Sequence, residues 1–227
     1  MTSAPLAAVL WDMDGTLVDT ESHWMAAEAA LVGRFSGEWT PEQALSLVGL
    51  GLADAARILQ DAGVRMSVED IVDHLTDTVM STIAAEGVPF RPGARELLRD
   101  LRAAGIKTGL VTMSMRRMAS AIADLIGDDM FDVVVAGDDA TRPKPFPDPY
   151  LQACEALGAA PEQTAAIEDS PNGMRSAVAS GATSIGVPLM VSLEGVGAHA
   201  IWPTLEGRTT ADVSAVHMSR RTSGDAP

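Results

Sequence analysis

Asp12 and Asp14 lie two residues apart, between the apolar run Leu6-Ala7-Ala8-Val9-Leu10-Trp11 and the pair Gly15-Thr16. Side chains alternate along a strand, so a buried strand ending here delivers both carboxylates to one edge of a sheet, and Gly15 lets the chain turn sharply away. Two like charges this close repel, and they persist together most easily when a divalent cation neutralises one and the other can hold a proton. The pair therefore suits catalysis around a hard cation, and Mg2+ matches carboxylate and carbonyl oxygens. A plain turn after a strand is the competing reading, but Asp12 abuts an apolar run, where an unpaired charge is costly.

Three further polar signals fall at expected strand ends. Thr112 closes the run Ile106-Lys107-Thr108-Gly109-Leu110-Val111, Lys144 sits among four prolines in Arg142-Pro143-Lys144-Pro145-Phe146-Pro147-Asp148-Pro149, and Glu168-Asp169-Ser170 follows Ala165-Ala166-Ile167. A hydroxyl can bond a phosphoryl oxygen, a lysine supplies a compact positive charge, and an acidic pair completes a magnesium shell. The prolines stiffen the loop that presents Lys144. Ser170 followed by Pro171 resembles an N-cap and first helical residue, whose N–H dipoles favour a nearby anion. Singly, each has a structural reading as good as the functional one: a strand-end hydroxyl, a solvated loop charge, a helix-capping acidic pair. Jointly they describe a phosphate site.

The elements that must position these groups follow from periodicity. Strands are expected over 6–11, 107–112, 131–136, 164–167 and 183–187, with helices over 93–104, 116–126, 148–157 and 171–179 between them. Alternation of this kind implies an α/β fold, a doubly wound parallel sheet with a Rossmann-like core, whose ligands bind beyond the carboxyl ends of the strands. Residues 17–88 break the rhythm and read as several helices, an inserted α-helical cap between core segments 1–16 and 89–227. Trp24, Ala27, Leu31 and Phe35 share one helical face, and Thr40-Pro41-Glu42-Gln43 reads as a capping box with a first-turn proline. Thr20, Glu21, His23 and Trp24, just past the acidic loop, read first as packing and secondly as substrate contacts; Glu21 and Trp24 are the substrate-binding candidates. Glycines 49 and 51 read as shaping a turn of the cap. The segment 188–203 is ambiguous, and a poorly ordered tail is expected from about Glu206 onward.

Composition narrows the function. The chain has 227 residues, 47% of them hydrophobic, and a formal net charge of −15. That suits one large domain with an inserted lobe, and it disfavours binding to nucleic acid or an anionic membrane. Cys154, the single cysteine, falls in an expected helix and reads as a buried structural thiol in a reducing cytosol. The four histidines lack ligand-like spacing, so zinc is a poor fit. No long apolar span or secretory-type start is visible, and the expectation is a cytoplasmic protein, a monomer acting on a small phosphorylated metabolite. So acidic a chain would repel such a ligand, so Lys144, Mg2+ and nearby arginines must reverse the potential locally, with Arg91, Arg116, Arg142 and Arg175 as candidates.

Asp12-Met13-Asp14-Gly15-Thr16, Thr112, Lys144 and Glu168-Asp169, in that order, resemble the motifs of the haloacid dehalogenase superfamily. The similarity is to its branch of Mg2+-dependent phosphatases and phosphomutases with a helical cap after the first strand, and it covers nearly all of residues 6–190. The resemblance implies that Asp12 is the nucleophile, giving an aspartyl-phosphate, and that Asp14 protonates the leaving oxygen and then activates water. It implies Asp12, Asp14 through its backbone carbonyl, and Asp169 as magnesium ligands, with Glu168 at or beside the metal. Thr112 and Lys144 would hold the transferring phosphoryl. Met113 stands where many relatives carry Asn. A phosphatase of sugar or polyol phosphates is the first reading. A phosphosugar mutase of the β-phosphoglucomutase type is the alternative, opposed by Trp24 and Leu52 where mutases place His and Arg. A silent phospholigand-binding regulator is a third reading, opposed by the intact Asp12 and Asp14. A phosphonate-cleaving relative would need a cap lysine, and residues 17–88 contain none.

Overall fold

The computed structural model describes residues 5–127 and 129–222. Its centre is a six-stranded, wholly parallel sheet in the order β3-β2-β1-β4-β5-β6. The strands are β1 (Ala8–Trp11), β2 (Lys107–Val111), β3 (Val133–Val135), β4 (Thr164–Glu168), β5 (Thr183–Gly186) and the short β6 (Ala200–Ile201). β1 is central, and the chain runs outward through β2 and β3 before returning to β4 on its other side. That reversal between β1 and β4 is a topological switch point, where doubly wound sheets bind ligands.

Alternation along β1 separates two cores. Val9 and Trp11 face one side with Leu97, Leu98 and Leu101 of α5 (Ala94–Ala103) and Ile122 of α6 (Arg116–Ile126). Ala8 and Leu10 face the other with Ala153, Cys154 and Leu157 of α7 (Asp148–Leu157) and Ala177 of α8 (Pro171–Ala179). All of these are buried. Strands covered on both faces read as continuous apolar runs rather than alternating ones, which is the pattern of Leu6 to Trp11.

Between β1 and α5 the chain forms four helices, α1 (Glu21–Arg34), α2 (Pro41–Leu45), α3 (Leu52–Asp61) and α4 (Val68–Glu86), and isolated bridges of Val18 with Asp14 and Phe90. Trp24, Ala27 and Leu31 of α1 pack with Leu59, Ile71, Leu75 and Val79, and this cluster is continuous with the Val9–Trp11 side of the sheet. The capping box at Thr40 forms as read, with Thr40 Oγ1 accepting from the Gln43 N–H and Gln43 Oε1 from the Thr40 N–H. The two crossings to this helical segment run side by side, where Asp19 N–H donates to Pro89 O and Arg91 N–H to Leu17 O.

The expected loose tail is corrected for the described residues, because Thr210–Thr222 form a further helix, α9. Asp212 reaches back to accept from both the N–H and the hydroxyl of Thr209, closing the first turn, and Asp100 accepts from the Thr210 N–H. Val213 and His217, four apart, are buried against the sheet, with His217 Nδ1 2.8 Å from Thr183 Oγ1. A Thr-rich stretch with sparse apolar residues hides a helix whose single buried stripe suffices to dock it. The ambiguous segment contributes β6 at the sheet edge. No helix among the described residues is long and apolar enough to cross a membrane.

Candidate active site

The sheet register brings the candidate residues together. Trp11 is level with Leu110 and Ile167, so Asp12, Thr112 and Glu168-Asp169 leave adjacent strands at the same edge. The Asp12 N–H still bonds Ile167 O at 3.0 Å and the Thr112 N–H bonds Val135 O at 2.9 Å, which continues the ladder up to the reacting groups. Gly15 then turns the chain at φ 78°, and a Cβ there would sit 2.1 Å from Asp169 Oδ2, so the loop and the second acidic strand end touch only because this residue has no side chain. The Arg91 guanidinium donates to Gly15 O and pins the loop.

Lys144 is buried at the centre of this floor. Its Nζ donates to Asp12 Oδ1 at 2.7 Å, Glu168 Oε1 at 2.6 Å and Val111 O at 2.9 Å, which occupies all three of its protons. The two carboxylates hold the ammonium charged, above its ordinary range, against the opposing effect of burial. The Tyr150 hydroxyl also donates to Glu168 Oε1, at 2.6 Å, and its ring lies 5.1 Å from the ammonium. Tyr150 carries no sequence signal beyond an apolar helix position.

Asp14 collects four donors. Thr20 Oγ1 (2.5 Å) and Trp24 Nε1 (2.9 Å) bond one oxygen; Ser114 Oγ (2.6 Å) and, more loosely, Thr112 Oγ1 (3.3 Å) bond the other. Thr20 and Trp24, read from sequence first as packing, thus grip a carboxylate from the helical segment. Ser114 was invisible in the sequence, since nothing local marks a serine whose partner is 100 positions away. Thr112, expected to face a phosphoryl group, here serves Asp14 and accepts the Ser114 N–H at 3.0 Å.

Asp12, Glu168 and Asp169 each offer a ligand oxygen, all within 4.8 Å of one another. Burial, together with the neighbouring Glu168 charge, pushes the Asp12 carboxyl up to about 7, against the lowering effect of Lys144. Asp169 is raised well above the carboxylate range by burial and then by Asp12 and Glu168. Three buried carboxyls face the Lys144 ammonium and, at Asp169, the Arg91 guanidinium, so the cluster is still short of positive charge. Asp169 Oδ2 is buried without a hydrogen-bond partner among the described residues, while Glu168 already serves Lys144, Tyr150 and, at 3.4 Å, Ser170. The donor set therefore fits a hard divalent cation, with Asp12 and Asp169 the more available ligands.

Of the four arginine candidates only Arg91 contacts this loop. Arg116 pairs with Asp139, Arg142 with Asp148, and Arg175 with Asn172, all on the surface. The cavity above the floor is about 70 Å³, and Glu21, Trp24, Met25, Glu28, Gly49 and Leu52 of the helical segment help to line it.

The profile of the haloacid dehalogenase-like hydrolases matches residues 9–187, well over half of the chain. The chain belongs to this family. A phosphorylated carbohydrates phosphatase from Thermotoga maritima is 29% identical to this hydrolase over 180 residues, spanning 78% of this chain and 82% of that protein. A validoxylamine A 7'-phosphate phosphatase from Streptomyces hygroscopicus subsp. limoneus is 31% identical over 186 residues, spanning 78% and 84%. The crystal structure of CbbY from Rhodobacter sphaeroides in complex with phosphate matches the hydrolase with a TM-score of 0.82 at 28% identity, over 92% of this chain and 99% of that one.

Proposed function

We propose that this hydrolase is a Mg2+-dependent phosphatase of small phosphorylated metabolites, sugar or polyol phosphates, working through an aspartyl-phosphate. The observation that carries this reading is the convergence of Asp12, Asp14, Lys144 and Asp169 on one switch-point floor, with Asp169 Oδ2 left for a cation. Relatives named a phosphorylated carbohydrates phosphatase and a validoxylamine A 7'-phosphate phosphatase support a small phosphate ester as substrate, the first of them a carbohydrate one. Residues 17–88 act as the cap, hinged where the crossings pair at Asp19 and Arg91, and the enzyme works as a soluble cytoplasmic monomer.

Bound Mg2+ would offset the cluster's negative charge, keep Asp12 ionised at neutral pH, and draw a phosphoryl oxygen into place. Asp12 then attacks phosphorus in line, forming an O–P bond as the bond to the leaving alcohol breaks. Asp14 gives its proton to the leaving oxygen. It next takes a proton from water, whose oxygen attacks phosphorus, frees inorganic phosphate and restores Asp12. Lys144 orients Asp12 through its hydrogen bond and offsets by its charge the negative charge developing at phosphorus, while the Thr112 hydroxyl would have to turn from Asp14 to meet a phosphoryl oxygen. Because Thr20 and Trp24 belong to the cap side, movement of the cap changes how tightly Asp14 is held, which couples acid–base readiness to closure.

The test is phosphate release from a panel of sugar, polyol, glycolate and nucleotide monophosphates, with Mg2+ and with chelator. Release confined to Mg2+ and strongest with sugar or polyol esters is expected. No turnover by folded protein would favour a silent regulator, and isomerisation of a hexose 1-phosphate without phosphate release would favour a mutase.

A further inference from the structure

The cavity has walls of opposite chemistry. Its floor carries the reacting groups, while its roof presents Glu21, Met25, Glu28, Leu47, Val48 and Leu52. Among the described residues lining it, Lys144 alone is basic, and its three donors are already engaged below the reacting oxygens. A phosphate ester enters with its phosphoryl group down, so the roof meets the leaving group.

Two carboxyls in that roof are hard to explain as structure. Glu21 and Glu28 are two helical turns apart on one face of α1, with 7% and 5% exposure. Glu21 stands in the first turn, where a helix dipole favours an acid, but Glu28 lies mid-helix without that help. Glu28 Oε2 has no hydrogen-bond partner among the described residues, and the nearby Trp39 Nε1 is likewise without one. Burial pushes both carboxyls up to about 8, with Asp14, Asp12 and Glu28 adding to the rise at Glu21 and the Trp39 indole opposing it at Glu28. A Leu or Met would fill a purely structural position at lower cost. A buried acid in the wall of a ligand cavity, with the Trp39 indole as its one neighbouring donor among the described residues, is instead poised for a ligand donor, and the strongest such donor is a cation.

We propose that Glu28, with Glu21 beside it, receives a protonated amine of the leaving group, so that this enzyme prefers phosphate monoesters of amine-bearing sugars or polyols and discriminates against esters carrying a second anionic group. This rests on the phosphatase reading of the floor and names the substrate class of that same site. A second phosphate or a carboxylate on the leaving group would meet two acids and an apolar wall with no cation to receive it.

Three esters of one hexose framework test it: glucosamine 6-phosphate, glucose 6-phosphate and 6-phosphogluconate, assayed with Mg2+ for phosphate release. The expected kcat/KM is about tenfold higher for the amine than for the neutral ester, and about tenfold lower for the carboxylate, as for one partly screened charge contact. In Glu28→Gln the amine advantage should shrink to about twofold or less, with the anionic ester gaining. Gln preserves shape and removes a buried acid, so this variant should fold, and the wild-type ratios alone decide if it does not. Phosphate release from any sugar or polyol ester without preference for glucosamine 6-phosphate over glucose 6-phosphate overturns this inference alone. Amine preference undiminished in Glu28→Gln also overturns it. No release from these three or from the wider panel overturns the phosphatase reading and this inference together.

Discussion

Asp12→Asn is expected to abolish turnover, by on the order of 10⁴-fold or more, because it removes the attacking oxygen rather than a helper. The same change should raise the melting temperature of the metal-free protein at pH 7–8. The sign follows from the direction of the shift. Burial and Glu168 raise the Asp12 carboxyl from 3.8 to about 7, so the folded protein holds this proton more tightly than the unfolded chain. That contribution to stability is complete below about 3.8, declines as pH rises, and is gone above about 7. Asn in its place is neutral at every pH and avoids the decline. Melting curves in chelator from pH 4 to 8 should therefore fall more steeply for wild type than for Asp12→Asn, and Mg2+ should restore the wild type more than the variant. Equal pH dependence of the two proteins would contradict the account of a cation-deficient cluster. Retained turnover would remove Asp12 from its role.

Lys144→Met should damage both stability and rate. The ammonium is 4% exposed and bonds Asp12, Glu168 and Val111 O, so its loss strands two buried carboxylates in a cluster that already lacks positive charge. Breaking a buried pair from one side costs about 3–5 kcal/mol, and protonation of the carboxyls would recover part of that. Loss of the positive charge that orients Asp12 beside the transferring phosphoryl should lower kcat by about 10²–10³-fold. Lys144→Arg should not rescue, because a planar fork cannot place three donors on these three acceptors. Adding Glu168→Gln to Lys144→Met should recover stability without recovering rate, which separates the two effects in a double-mutant cycle. An unchanged melting temperature in Lys144→Met would show that the ion pairs carry no stability.

The parts of this molecule legible in its sequence are those specified locally. The run ending at Trp11, the turn at Gly15, the capping signature of Ser170-Pro171 and the proline-stiffened loop at Lys144 each declare position and chemistry within a few residues. α6, α7 and α8 begin and end where their periodicity and caps place them. What stayed hidden is set by contacts between distant segments. Ser114 meets Asp14 across 100 positions, Tyr150 meets Glu168 through a helix face that reads as ordinary core, and Arg91 was indistinguishable from three surface arginines until the loop closed on it. Trp24 reads as an apolar stripe residue because its ring does pack there, while its N–H alone turns toward Asp14. α9 escaped because a helix that docks through Val213 and His217 needs little hydrophobicity once Thr209 and Asp212 close its first turn.

The most direct test of the central claim is where a phosphoryl group resides during turnover. Acid quenching within the first turnovers, with Mg2+ and a sugar phosphate, followed by peptide mass spectrometry, should find one phosphoryl group on the Asp12 peptide, absent with chelator and absent in Asp12→Asn. A phosphoryl group on another residue, or on Asp12 equally in chelator, would contradict an aspartate nucleophile that a divalent ion keeps ionised.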